Sequence, residues 1–181
     1  MRRRHPLPRL WLMTDERQSE ALWPALARLP RGTGVVFRHY RTPPTERRAL
    51  YEQVRAIARA RGLLLVLAGP PRDAIGWRAD GAHGRSPHRT STRALLRTAP
   101  AHGARELVAG RRRGATLLFL SPVFPTRSHP GARTLGPVRF GKLVKGYAKN
   151  AIALGGMSPK RGDRLAALGA YGWAAIDAWD G

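Results

Sequence analysis

Residues Leu117 to Gly136 read LLFLSPVFPTRSHPGARTLG, and Ala151 to Met157 read AIALGGM. The first stretch is an apolar run of strand length. It ends in Ser121 and Pro122 and opens into a loop rich in Pro, Thr, Arg and His. The second is another apolar run, closed by Gly155-Gly156. Buried strands that each deliver a polar loop at their C-terminal end are how a parallel α/β protein builds a site. Paired glycines let the backbone approach a ligand, and bare amide N–H groups there suit an anion.

Outward from these two stretches the same alternation repeats. Arg9–Thr14, Gly34–Tyr40, Leu63–Ala68, Asp80–His83, a minimal segment near Ala99–His102, Thr116–Ser121, Ala151–Leu154 and Gly172–Ala178 read as eight strands. Between them, helices are expected over Ser19–Leu29, Thr45–Arg61, Pro71–Trp77, Thr90–Leu96, Ala104–Arg113, Pro137–Tyr147 and from Ser158 to Leu168. Ser19 and Ser158 are read as N-caps, and Gly62 and Gly169 as helix stops. Strands apolar on both faces and alternating with helices indicate a parallel α/β fold. The expected fold is a compact (β/α)8 TIM-type barrel lacking its final helix, because the chain stops just after the eighth strand. It forms one domain over residues 1–181, with residues 1–8 as a flexible basic tail.

Composition narrows the function classes. Hydrophobic content is 43%, ordinary for a globular fold. No apolar run approaches the length of about 20 residues that a membrane helix needs, so no membrane partner is expected. The leading MRRRHPLPRLWLM has too short an apolar part for a secretory leader. There is no cysteine, which excludes disulfides, thiolate catalysis and Cys-based zinc sites. A cytoplasmic location is the default. The net charge is +22. Basic residues spread along the whole chain and no RNP, zipper or zinc-finger pattern is present, which argues against a nucleic-acid function.

The order of motifs resembles the thiamine phosphate synthase family, including its TenI-like thiazole tautomerase relatives. The resemblance rests on LWLMTD (Leu10–Asp15), Gly34–Arg38, ADGAH (Ala79–His83), SPVFPTRS (Ser121–Ser128) and ALGGMS (Ala153–Ser158). It implies a (β/α)8 barrel that joins a pyrimidine diphosphate to a thiazole phosphate and releases pyrophosphate, within thiamine biosynthesis. Departure of pyrophosphate needs positive charge, supplied in the family by Mg²⁺ and basic side chains. The resemblance assigns Arg38, His83, Thr126 and Ser128 to substrate or anion binding, and Arg127 and His129 of the same loop are expected to join them as basic groups. It assigns Gly155 and Gly156 to phosphate, and Ala178 after the eighth strand is expected beside them. The implied partner is a small phosphorylated heterocycle or pyrophosphate. A homo-oligomer that covers the missing helix is left open.

Several family positions differ here. The Gln before the arginine is Val36, and the following Lys is Tyr40. The third strand ends in Ala68-Gly69 where the family has Asn-Asp, the Asp being a Mg²⁺ ligand. The second metal-binding Asp falls near His88. The strand-five serine falls at Pro100, the lysine after Thr-x-Ser at His129, and the serine after strand eight at Asp177. The tautomerase histidine falls at Pro122. These differences imply no metal cofactor on this chain and no metal-assisted coupling. A basic pocket of Arg38, Arg85, Arg127, His39, His83, His102 and His129 is the expected substitute. Structural roles stand beside these readings. His39 reads first as a buried, hydrogen-bonded residue, His83 reads equally as one that satisfies backbone groups at a strand end, Gly155-Gly156 reads also as a packing device, and Asp15 and Asp177 as partners of arginines. Three functions remain in play: a divergent transferase, a non-catalytic ligand-binding or regulatory barrel, and a basic nucleic-acid scaffold.

Overall fold

The computed structural model describes residues 6–85, 95–128 and 131–179. Eight strands are β1 (Leu10–Met13), β2 (Gly34–Phe37), β3 (Leu64–Ala68), β4 (Gly81–His83), β5 (Leu96–Ala101), β6 (Leu117–Leu120), β7 (Ala151–Leu154) and β8 (Gly172–Ala175). Each pairs in parallel with the next, and β8 returns to β1 through Leu10–Trp173 and Leu12–Ala175, closing a barrel. The helices are α1 (Leu22–Arg28), α2 (Pro44–Arg61), α3 (Pro71–Gly76), α4 (Ala104–Arg112), α5 (Gly136–Tyr147) and α6 (Pro159–Ala166). A short 3-10 helix, Glu16–Ala21, precedes α1.

Strand periodicity sorts the apolar residues into layers. One set points into the barrel: Trp11 and Met13, Val36, Val66 and Ala68, Leu96, Leu117 and Phe119, Ile152 and Ala174 form a single buried cluster. The alternate residues point outward. Leu12, Val35, Phe37, Leu65 and Leu67 meet Leu22, Leu26, Tyr51 and Val54 of α1 and α2. On the other side, Leu118, Leu120 and Ala153 meet Leu107, Phe140, Val144 and Leu165 of α4, α5 and α6. Trp11 fills the floor of the barrel because Gly34 makes room for it. A Cβ at Gly34 would lie 2.3 Å from the Trp11 ring.

Helix ends follow local rules. Gly62 adopts φ +65 and stops α2, and the Ser158 hydroxyl accepts from the Arg161 N–H to start α6. The expected cap Ser19 is replaced by Asp15, whose carboxylate and the Gln18 side chain form a reciprocal capping box. The strands are shorter than expected at their C-terminal ends. β2 stops at Phe37 because His39 takes φ +36, and β8 stops at Ala175. The helix expected over Thr90–Leu96 is not supported at its described end. Leu96 instead begins β5, paired with Gly81, and residues 90–94 lie outside the described residues. A Cβ at Gly81 would lie 2.6 Å from the Leu96 carbonyl oxygen, so this close pairing overrides local helical preference. Of the expected tail over residues 1–8, the first five lie outside the described residues; beyond them, the Tyr171 hydroxyl donates to the Leu7 carbonyl and Trp11 Nε1 donates to that of Pro8. Among the described residues no helix follows β8, and none is long and apolar enough to cross a membrane.

Candidate anion site at the C-terminal mouth

The loop after β6 crosses the mouth and is pinned to the end of β7. The Val123 N–H donates to the Leu154 carbonyl at 2.9 Å, and the Phe124 N–H donates to Gly155 at 3.1 Å. Gly155 and Gly156 both adopt positive φ, +96 and +60. A Cβ on Gly156 would fall 2.3 Å from the Pro125 carbonyl oxygen, and one on Gly155 would fall 2.9 Å from Pro122. The paired glycines therefore have a packing role that the sequence left as one of two readings. They let the β6 loop lie against the β7 loop.

Three arginines line the resulting mouth, and their partners differ. Arg38 Nη2 meets Asp15 at 2.8 Å while its Nε donates to the Thr14 carbonyl at 2.7 Å. Asp15 also receives Arg17 at 2.6 Å. Burial alone would raise the Asp15 carboxyl, but the Arg17 hydrogen bonds and the Arg38 charge outweigh it and hold the pKa below the ordinary value. Arg17 reaches on to the Ser128 hydroxyl at 3.0 Å, which ties the β1 loop to the β6 loop. Arg127 meets Asp177 at 2.9 Å, which ties the β6 loop to the β8 loop. Arg161, in the first turn of α6, is different. Its guanidinium donates to the Gly156 carbonyl and lies 4.6 Å over the Phe124 ring. It forms no ion pair with a carboxylate among the described residues.

These groups surround one cavity of about 690 Å³, a size suited to a small organic ligand. Arg38, Thr126, Arg127, Ser128, Gly155, Gly156 and Ala178 all line it. His83 does not. It lies buried inside the barrel, hydrogen-bonded through Nδ1 to the Thr98 hydroxyl at 2.8 Å and edge-on to Phe119. Burial, with the Arg38 charge, lowers its pKa to about 3. His129 lies outside the described residues. Of the wider basic pocket, only His102 joins Arg38 and Arg127 at the cavity, with Nδ1 donating to the Ser121 carbonyl at 2.8 Å. His39 is buried, bonded to Thr14 and stacked on Phe37. Arg85 lines a separate cleft and pairs with Glu106. Arg161 is the cavity residue that sequence reading missed. A signal was available: a cation in the first turn of a helix opposes the helix dipole, and the first turn of α6 holds Lys160 and Arg161 without an acid.

A family model described as thiamine monophosphate synthase matches residues 10–179. The chain belongs to that family. Among curated proteins of this thiamine phosphate synthase kind, it is 27% identical to "Putative thiamine-phosphate synthase 2" of Aquifex aeolicus (strain VF5), over 94% of this chain and 96% of that protein. Two solved structures share the fold. One is a thiamine phosphate pyrophosphorylase from Pyrococcus furiosus, at TM-score 0.75 and 23% identity, covering 95% of this chain and 86% of that one. The other, from Bacteroides thetaiotaomicron, has TM-score 0.63 and 16% identity, with 94% and 83% covered. Against the family pattern, the residue after β3 is Gly69 at φ +152, a conformation that suits Gly and strains Asp. The nearest acid is Asp73, whose carboxylate lies 3.9 Å from where a Gly69 Cβ would be and pairs with Arg72. Among the described residues no group of three or more His, Asp or Glu is placed to hold a metal ion.

Proposed function

We propose that this thiamine phosphate synthase-like barrel binds a small phosphorylated heterocycle, of thiazole phosphate or pyrimidine diphosphate type, or pyrophosphate, at its mouth and without a resident Mg²⁺. The observation that carries this reading is the charge ledger of the cavity. Asp15 answers Arg38 and Asp177 answers Arg127, which leaves the Arg161 guanidinium without a carboxylate among the described residues. An incoming phosphate finds that guanidinium beside Gly155 and Gly156, with the Thr126 and Ser128 hydroxyls as neutral hydrogen-bonding groups. Mg²⁺ is held by oxygen donors, carboxylates foremost. Here Asp15 and Asp177 are engaged by arginines, and Gly69 stands where the family supplies an acid. The donor set does not fit a resident Mg²⁺.

The arginines hold and orient an anion, but they do not replace a divalent ion in charge density. Binding is therefore the activity this site supports best, and coupling by the metal-assisted route is not expected. A non-catalytic ligand-binding or regulatory barrel is the second reading. It is favoured because neither Asp15 nor Asp177 is free to serve as a general acid or base. A cytoplasmic location accompanies both readings.

Isothermal titration of the full chain with pyrophosphate and with thiazole phosphate tests the proposal. Binding should survive a chelator and weaken about tenfold or more in Arg161→Ala, the loss of a charge-assisted hydrogen bond to phosphate. No affinity up to millimolar ligand would remove the anion reading. Binding that appears only with added Mg²⁺ would remove its metal-free part.

A further inference from the structure

We propose that the α4 flank of the barrel is a binding surface for single-stranded nucleic acid. The net charge is unevenly divided. Between Gly81 and Gly162 the chain holds 16 Lys and Arg and one acid, Glu106, whereas all the rest holds 17 cations and 10 acids. The sequence reading took the cations as diffuse because they occur throughout the chain. What is localised is the lack of acids, and the barrel places that acid-poor half, β4 to the start of α6, on consecutive elements of one side.

Two clefts meet on that side. One, of about 280 Å³, lies between β5 and α4 and is lined by Arg85, Arg97, Arg105, Glu106 and Arg113. The other, about 590 Å³ and shallower, runs over α4 to Tyr147 and is lined by Arg105, Arg112 and Arg113. They share Arg105, Ala109 and Arg113, spaced four apart on one face of α4. The small Ala109 between two arginines leaves a continuous trough. Its one acid is already engaged: Glu106 pairs with Arg85 at 3.0 Å and accepts the His102 backbone N–H at 2.7 Å.

Tyr147 closes the far end, 41% exposed. A positively charged groove with an accessible aromatic ring is the arrangement that tracks a phosphate backbone and stacks a base. A membrane surface fits less well. Lipid headgroups meet a flat or protruding basic face with apolar wedges, whereas these arginines line a concave trough.

The test is fluorescence anisotropy of the full chain with a labelled, mixed-sequence single-stranded oligonucleotide across a salt series. The wild type should bind with a steep inverse salt dependence. The triple variant R105A/R112A/R113A should bind at least about tenfold more weakly, with a log–log slope shallower by about 2. Tyr147→Ala should lose about fivefold or more without changing the slope. The control R28A/R59A/R72A removes the same charge from exposed positions on α1, α2 and α3, and should retain most of the affinity. Equal losses in both triple variants would show attraction by net charge alone and overturn the proposal. So would wild-type binding to anionic vesicles but not to the oligonucleotide, or no binding at physiological salt. Pyrophosphate titration of the same variants separates this surface from the mouth, because R105A/R112A/R113A should leave that affinity unchanged.

Discussion

His83 shows how one residue's meaning changes between sequence and fold. In the sequence it matches a family motif at a strand end. In the barrel it is a neutral core histidine that bonds Thr98 and packs on Phe119. Its folded pKa of about 3 lies below the ordinary histidine value of 6.5. Between those values the unfolded chain takes up a proton that the folded chain refuses, so stability falls as pH falls. The slope expected from this one group is about 1.4 kcal/mol per pH unit below roughly pH 6.5. Burial shifts His39 the same way. Urea denaturation of the wild type and His83→Asn along a pH series checks this. The variant should show a visibly flatter dependence between pH 6 and about 4, and identical slopes would refute the assignment. That His83 is buried was legible only as one of two options. A strand end can place a side chain in the mouth or in the top layer of the core, and register decides which.

At the scale of elements, the β6 and β7 loops form one unit. Their contact depends on two glycines that the sequence advertised and on backbone hydrogen bonds that it did not. Gly156→Ala would place a methyl against the Pro125 carbonyl at a positive φ. A cost of about 1–3 kcal/mol is expected, together with weaker pyrophosphate binding as the loop is displaced. Gly146, within α5, has open space around its would-be Cβ. Gly146→Ala should stabilise by about 0.4–1 kcal/mol, because alanine lowers the entropy of the unfolded chain. Equilibrium unfolding of the pair gives the comparison, and equal effects at the two positions would contradict it. The element alternation itself was readable, since continuous apolar runs of strand length alternating with helical spacing leave few other folds. The β4–β5 segment was not. Leu95 and Leu96 suit a helix locally, and only their pairing with a side-chain-free Gly81 makes them a strand start.

For the whole molecule, a net charge of +22 on 181 residues must strain the compact state through self-repulsion. Salt screens such charges over a distance of about 8 Å at physiological strength. The melting temperature should therefore rise as sodium chloride is added from low ionic strength, by about 2–4 °C for each kcal/mol of repulsion relieved. A flat or falling curve by differential scanning calorimetry would show that the ion pairs already balance the field. The sequence by itself determined the order of the strands, the barrel, and the polar loops that would meet at one end, because these follow from strand-length apolar runs and local chemistry. Tertiary structure alone decided which charges cancel. Arg127 finds Asp177 and Arg17 finds Ser128 across 50 and 111 residues of chain. Closure of the ring sets those meetings, and through them it leaves the Arg161 guanidinium at the mouth without a carboxylate among the described residues.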